Sequence, residues 1–237
     1  MLVAFLTFWE VAARLAHNIG IATFSDTMVA AWDLMFGNGR IWEAMLNSNA
    51  ALVLGFAISA VTAVPLGLAA GRSRILDRAL SPYTAILLAI PVAPLVPIAI
   101  TAFGLSLAAR VSIVILFAVI FIYVNTRAGV RSVDQRLVEM AHAFGASERT
   151  IWTKVVIPSA VPAMFAGLRI GLGRALTGMV AVELLLVATG VGKLLLEYRD
   201  RLQPAYVFAT VLFVIAEALL LLELARFIER KVAPWND

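Results

Sequence analysis

The amino-acid sequence predicts an all-α integral membrane protein, a polytopic bundle of about six transmembrane helices in a single domain. Hydrophobic residues make up 62% of the 237 residues and charged residues only 14%, whereas about a quarter of the residues in a soluble domain are charged. The mean hydropathy is +0.95. Because a spanning helix takes roughly 20 residues, the spans and their connections account for residues 1–237 and leave no length for a soluble catalytic domain.

Six apolar segments are the predicted spans, and the first of them is shorter than a comfortable span. It carries Glu10 and Arg14, and no basic residues precede its apolar run, so we interpret it as a span and not as a signal peptide. Residues 18–49 are mixed and polar, which predicts an external segment with some amphipathic helix. Residues 189–204 predict a charged connection. The predicted spans cover residues 1–16, 50–70, 79–103, 111–124, 163–187 and 206–227.

The third predicted span contains three prolines at intervals of three residues, Pro91, Pro94 and Pro97. Each proline removes a backbone donor and frees a carbonyl one turn earlier, which a membrane helix tolerates only where protein or a wet cavity satisfies that carbonyl. We therefore predict a kink over residues 90–98 that lines a pathway through the membrane. A purely structural bend is the alternative.

In the second span, the spacing of Gly67 and Gly71 predicts close helix packing.

The basic residues of the connections lie mainly on one side of the predicted bundle. Eleven lie on one side and five on the other, and the side richer in basic residues is expected to be cytoplasmic. The net charge of +4 is therefore interpreted as a topology signal, and no nucleic-acid partner is predicted. The eleven are Arg72, Arg74, Arg78, Arg127, Arg131, Arg136, Arg149, Lys154, Arg226, Arg230 and Lys231.

Residues 133–158 form the longest polar interruption between two apolar blocks, on the predicted cytoplasmic side. The first half predicts a short amphipathic helix, because its apolar residues recur at helical spacing. Gly145 is expected to end this helix, since glycine readily adopts the left-handed conformation of a helix C-terminus. Ser147 is expected to cap a second helix, which Pro158 would end. The apolar residues of the first helix are Leu137, Met140, Ala141 and Phe144.

The spacing within this segment resembles a known motif. Residues 139–141 read EMA, Gly145 follows after three residues, and nine further residues lead to VVIP at 155–158. This pattern resembles the EAA loop (E-A-A, x3, G, x9, I-x-L-P) of the membrane subunits of ABC-type importers, with Met140, Val155 and Ile157 as apolar replacements. Residues 127–147 and 167–185 are similar to the nitrate/sulfonate/taurine branch of that family, and the resemblance covers nearly the whole chain.

The resemblance implies a transmembrane permease subunit with the type I ABC importer permease fold, in the bacterial inner membrane. It implies a homodimer partner, two ATPase subunits, an extracytoplasmic solute-binding protein and contact with membrane lipid. The substrate would be a small anion or sulfonate, such as nitrate, taurine or an alkanesulfonate, or a similar small organic molecule. No cofactor is expected on this chain, because ATP and Mg would be bound by the ATPase.

In the family, this loop is the coupling helix that docks on the ATPase, with the glutamate as a polar anchor. The implied loop covers residues 131–162. An amphipathic helix lying on the bilayer surface is the alternative, although surface adsorption does not need the fixed Glu, Gly and Pro spacing. The implied coupling residues are Glu139, Met140, Ala141, Ala143, Phe144, Gly145, Ala146, Ile157 and Pro158.

Arg174 and Glu183 lie inside the apolar segment of the fifth predicted span. In an apolar span each costs roughly 2.5–3.5 kcal/mol unless it is paired or hydrated. They lie nine residues apart and face nearly opposite directions on a helix, so each needs a partner elsewhere. We predict that this helix lines the translocation pathway and that Arg174 provides a positive potential for anions. Structural ion pairs with Glu217 or Glu223 are the alternative.

The sequence does not predict an enzyme, and no catalytic residues are assigned. A phosphate-binding Walker A loop reads G-x-x-x-x-G-K-[ST], and the nearest approach, residues 190–194, lacks the first glycine and the hydroxyl. The chain has no cysteine, and His17 and His142 are not accompanied by carboxylates at ligand spacing, so no metal site is predicted. Two other classes stay open: an ion-coupled secondary carrier, for which we find no internal repeat, and a membrane scaffold or receptor.

Overall fold

A computed structural model describes residues 1–16, 20–91, 94–185 and 189–232, which form helices and no strands. Two short segments, Asp33–Gly37 and Trp152–Val156, are π-helical turns. The α-helices are α1 Leu2–Ala16, α2 Phe24–Trp32, α3 Arg40–Arg72, α4 Arg74–Ala89, α5 Leu95–Phe103, α6 Leu107–Arg131, α7 Gln135–Ala143, α8 Glu148–Ile151, α9 Ile157–Leu185, α10 Gly190–Asp200 and α11 Pro204–Val232.

Four helical stretches in the described part of the chain are long and apolar enough to cross a membrane: α3, α6, the continuous run Glu148–Leu185, and α11. They correspond to the second, fourth, fifth and sixth predicted spans. The first predicted span is α1, whose 15 residues reach only about 22 Å at 1.5 Å per residue, less than the roughly 30 Å of a bilayer core. The third is divided between α4 and α5. Helix α3 begins at Arg40, so the predicted external segment is shorter than expected.

Helix α6 lies at the centre of the bundle, packed along α3 on one side and α9 on the other. Glycines allow this close approach, as the spacing of Gly67 and Gly71 predicts. A Cβ atom added to Gly67 would lie 2.7 Å from Cβ of Thr126, and one added to Gly71 would lie 2.5 Å from Cβ of Val130. The bundle core is therefore held by helix backbones in near contact.

In place of the predicted kink over residues 90–98, the third span has a break between two helices. Helix α4 ends at Ala89 and α5 begins at Leu95, with Pro94 at its N-cap; residues 92 and 93 lie outside the described residues. Pro97 lies in the first turn of α5, where its missing N–H has no intrahelical acceptor to lose. The prolines thus separate two short helices instead of bending one long helix.

The prediction that Pro158 ends the second cytoplasmic helix is wrong. The helix that begins at Glu148 continues without a break through Leu185. In a regular α-helix a proline ring clashes with the carbonyl four residues earlier. Here the turn before Pro158 is π-helical, with the Ile157 N–H bonded to the Trp152 carbonyl, and this wider turn lets the helix pass the proline.

The predicted charged connection at residues 189–204 is mostly helical, because Gly190–Asp200 form helix α10. Its apolar residues follow helical spacing and are buried against α3, α9 and α11, with the charged residues on the opposite face. This stripe was present in the sequence but was obscured by the high charge of the segment. The buried apolar residues are Val191, Leu194, Leu195 and Tyr198.

Candidate functional site

The motif at residues 133–158 folds as a helical hairpin of α7 and α8, residues 135–151, as the sequence predicts. Asp134 caps α7, its carboxylate accepting from the Arg136 N–H at 2.9 Å. Gly145 reverses the chain with φ +74°, a conformation that glycine adopts at little cost. Ser147 caps α8, its hydroxyl oxygen accepting from the Thr150 N–H at 3.3 Å. The α7–α8 hairpin therefore has a defined shape set by local sequence.

The α7–α8 hairpin has an inner face that packs on the bundle. Val138, Ala141 and Ala146 contact a small core formed by residues such as Ile151 and Ala160. This core fixes the hairpin to the start of α9. Among the implied coupling residues, Ala141 and Ala146 thus belong to the inner face, and Ile157 and Pro158 are half-buried where α9 begins.

The outer face of the same hairpin is apolar and exposed. The residues Leu137, Met140 and Phe144 are 42%, 52% and 85% exposed, and the implied coupling residues Glu139 and Ala143 are exposed as well. No residue of α7 is buried. A helix with one packed face and one uncovered apolar face is typical of a docking element.

Arg72, at the end of α3, joins the hairpin to the bundle. Its guanidinium lies 5.1 Å from the ring centroid of Trp152, a cation–π contact, and 3.7 Å from Glu148. His142 of α7 lies 3.5 Å from the same carboxylate; His17 lies outside the described residues. Sequence reasoning counted Arg72 only as a topology signal and missed these contacts.

Asp77 joins the start of α4 to the end of α6. Its side chain is only 12% exposed, and it pairs with Arg127 and, at 2.7 Å, with Arg131. Sequence reasoning missed this cluster too. The available signal was a single acidic residue in an otherwise basic loop.

Glu183 lies in a second buried cluster, near the opposite ends of the helices. Its side chain is 0% exposed and accepts hydrogen bonds from the Ser48 hydroxyl at 2.8 Å and the Gly192 N–H at 3.1 Å. Arg110 of α6 lies 3.5 Å from it, so its charge partner comes from another helix, as predicted. These contacts join α3, α6, α9 and α10 and are those of a structural anchor; a role in the pathway stays a prediction.

The sequence predicts that Arg174 and Glu183 do not pair with each other, and they do not. The alternative, an ion pair of Arg174 with Glu217 or Glu223 of α11, is not formed either. Glu217 accepts from Asn49 and Glu223 pairs with Arg226. Within the described residues the exposed Arg174 guanidinium has no ion-pair partner and lies 4.7 Å from the Phe121 ring centroid. Pro91, Pro94 and Pro97, which the sequence predicts to line a pathway, are likewise exposed, and that role stays a prediction.

Comparison with known proteins decides the class. Residues 63–234 match the model of the family described as "Binding-protein-dependent transport system inner membrane component". The chain belongs to this family. It is a multi-pass permease of the inner membrane, the transmembrane component of an ABC importer.

The names of two relatives of this permease refer to different substrates, riboflavin and taurine. It is 30% identical over 237 residues to the riboflavin transport system permease protein RibX of Chloroflexus aurantiacus, with 99% of this chain and 88% of RibX covered. It is 28% identical over 202 residues to the taurine transport system permease protein TauC of Escherichia coli, with 85% of this chain and 73% of TauC covered.

Solved structures confirm the fold of this permease. The inward-facing MetNI methionine ABC transporter aligns with a TM-score of 0.66 at 20% identity, covering 82% of this chain and 98% of that chain. An amino acid ABC transporter crystallised with histidines gives a TM-score of 0.66 at 14% identity, covering 85% and 96%. The all-α fold of a type I ABC importer permease, predicted from the sequence, is therefore confirmed.

Proposed function

We propose that this permease imports a small sulfonate or a comparable small organic anion and takes its driving force from a separate ATPase through the α7–α8 hairpin. The proposed assembly holds two copies of the permease, two ATPase subunits that bind ATP and Mg²⁺, and an extracytoplasmic solute-binding protein. The exposed apolar face of the hairpin is the observation that carries the coupling part of the proposal.

That face is suited to a protein partner. Phe144 projects from the tip of the hairpin, and burying such a side chain in an interface contributes roughly 1.5–3 kcal/mol. The inner face is already packed, so the hairpin can enter a groove without losing its own structure. Glu139 is exposed beside the apolar residues and supplies a polar anchor at the rim of the contact.

The connections of the hairpin support transmission of movement into the bundle. Because the helix runs unbroken from Glu148 to Leu185, a displacement of the hairpin moves α9 directly. Arg72 carries the same displacement to α3 through Trp152 and Glu148. Rigid helices with packed contacts transmit such a displacement, whereas a flexible loop would absorb it.

The coupling proposal is tested by co-purification of the cognate ATPase with Phe144→Ala. We expect binding about 10- to 100-fold weaker, which corresponds to the 1.5–3 kcal/mol of one buried aromatic side chain. Phe227→Ala is the matched control, because Phe227 is 56% exposed at the far end of α11. Equal binding by both variants would contradict docking through the hairpin, and uptake by the purified chain without any ATPase would point to an ion-coupled carrier.

The proposal that the substrate is an anion rests on Arg174 and on the similarity to the taurine permease TauC. An unpaired cation in a spanning helix is costly, and a hydrated pathway that carries anions relieves that cost. Flavin import is the second candidate, favoured by the 30% identity to the riboflavin permease. In cells expressing the whole system, Arg174→Gln should lower the uptake of labelled taurine or alkanesulfonate, whereas uptake of uncharged riboflavin would not depend on that charge.

A further inference from the structure

A polar cavity of about 700 Å³ lies between the base of the bundle and the α7–α8 hairpin. Its walls come from the end of α3, the start of α4, the end of α6 and the hairpin. The charged side chains that line it are Arg72, Arg74, Arg78, Arg131, Asp77 and Glu148. Its volume is within the range of about 300–1,000 Å³ that small ligands occupy.

The charges of this cavity are unbalanced. Four arginines face two carboxylates, and both carboxylates are already engaged: Asp77 by Arg127 and Arg131, and Glu148 by Arg72. Arg74 and Arg78 have no ion-pair partner within residues 1–16, 20–91, 94–185 and 189–232. They are four residues apart on α4, so they project from the same face of the helix.

The location of the cavity indicates what could balance those charges. The cavity lies at the ends of α3 and α6, two helices long enough to cross a membrane, where we expect the membrane surface. Basic pockets between transmembrane helices at that level bind anionic head groups. A guanidinium also matches the geometry of phosphate oxygens better than that of a halide, because it can donate two parallel hydrogen bonds.

We propose that this cavity binds a phosphate-bearing anion, held by Arg74 and Arg78. The head group of an anionic phospholipid and free phosphate share this chemistry. His142 and Trp152 line the hairpin side of the same cavity, so a bound anion would contact α4 and the hairpin together. The proposal stands on the cavity and its charges and does not require the proposed function.

Native mass spectrometry of the full-length protein in neutral detergent tests the lipid source. We expect phosphatidylglycerol to be retained in preference to phosphatidylcholine, and R74Q/R78Q to weaken retention about 30-fold, the loss of two contributions of about 1 kcal/mol. R230Q/K231Q is the matched control, since it removes two cations from the same predicted side but outside the cavity. Melting temperatures of both variants establish that they are folded.

A second arm tests the free anion by adding inorganic phosphate and following the melting temperature. Stabilisation by phosphate that is lost in R74Q/R78Q and kept in R230Q/K231Q supports the site with free phosphate as its source. Equal effects of both double variants, or no anion bound by the wild-type protein in either arm, overturn the proposal. Both readouts use the permease alone, so they are independent of whether an ATPase docks on the hairpin.

Discussion

Replacing Glu183 by alanine should destabilise the permease strongly, because the change leaves a buried cluster without its acceptor. The Ser48 hydroxyl and the Gly192 N–H would lose the carboxylate to which they donate. Arg110, whose side chain is 11% exposed, would keep a charge without its partner. Breaking a buried pair from one side costs about 3–5 kcal/mol. Glu183→Gln, which keeps an acceptor oxygen, should cost less, about 1–3 kcal/mol.

The melting temperature of the detergent-purified protein is measured by heating samples and then quantifying the remaining folded protein by size-exclusion chromatography. At about 2–4 °C per kcal/mol for a chain of this size, Glu183→Ala should lower the midpoint by about 6–20 °C. Glu223→Ala is the control, since its carboxylate is 64% exposed and pairs with Arg226 on the surface; exposed pairs contribute about 0–1 kcal/mol. A Glu183→Ala protein with the wild-type midpoint but no uptake would refute the anchor and favour the pathway role.

Three further outcomes are expected. Gly145→Ala should destabilise the hairpin by about 1–2 kcal/mol, since φ is +74° there and the left-handed conformation disfavours a side chain; faster proteolysis of the hairpin would show it, and Gly145→Asn should be milder. Arg174→Glu should reduce uptake of an anionic substrate without changing the melting temperature, and a failure to fold would instead show a structural role. The Arg40 guanidinium lowers the pKa of Glu197 below its ordinary 4.5, so the stability that this pair contributes is complete above pH 4.5 and is lost as the pH falls through the lowered pKa. Glu197→Gln should remove that acid-dependent part of the melting curve.

Local signals predicted the hairpin well because its shape depends on neighbouring residues. Gly145 and Ser147 act through the backbone conformation of their own turn, so residue type and spacing were sufficient. Pro158 shows the limit of the same reasoning. Its effect depended on whether the preceding turn could widen, and the sequence gives no direct signal for a π-helical turn.

Composition and hydropathy determined the class of this protein by themselves, because burial of apolar side chains in a bilayer is additive along the chain and needs no knowledge of neighbours. The same reasoning located the second, fourth, fifth and sixth spans, and the motif at residues 139–158 indicated the family. Only the tertiary structure decided the partners of the charged residues. Ser48 and Glu183 are 135 residues apart and Asp77 and Arg131 are 54 apart, and their pairing depends on how the helices are rotated and packed against one another, which no local pattern specifies.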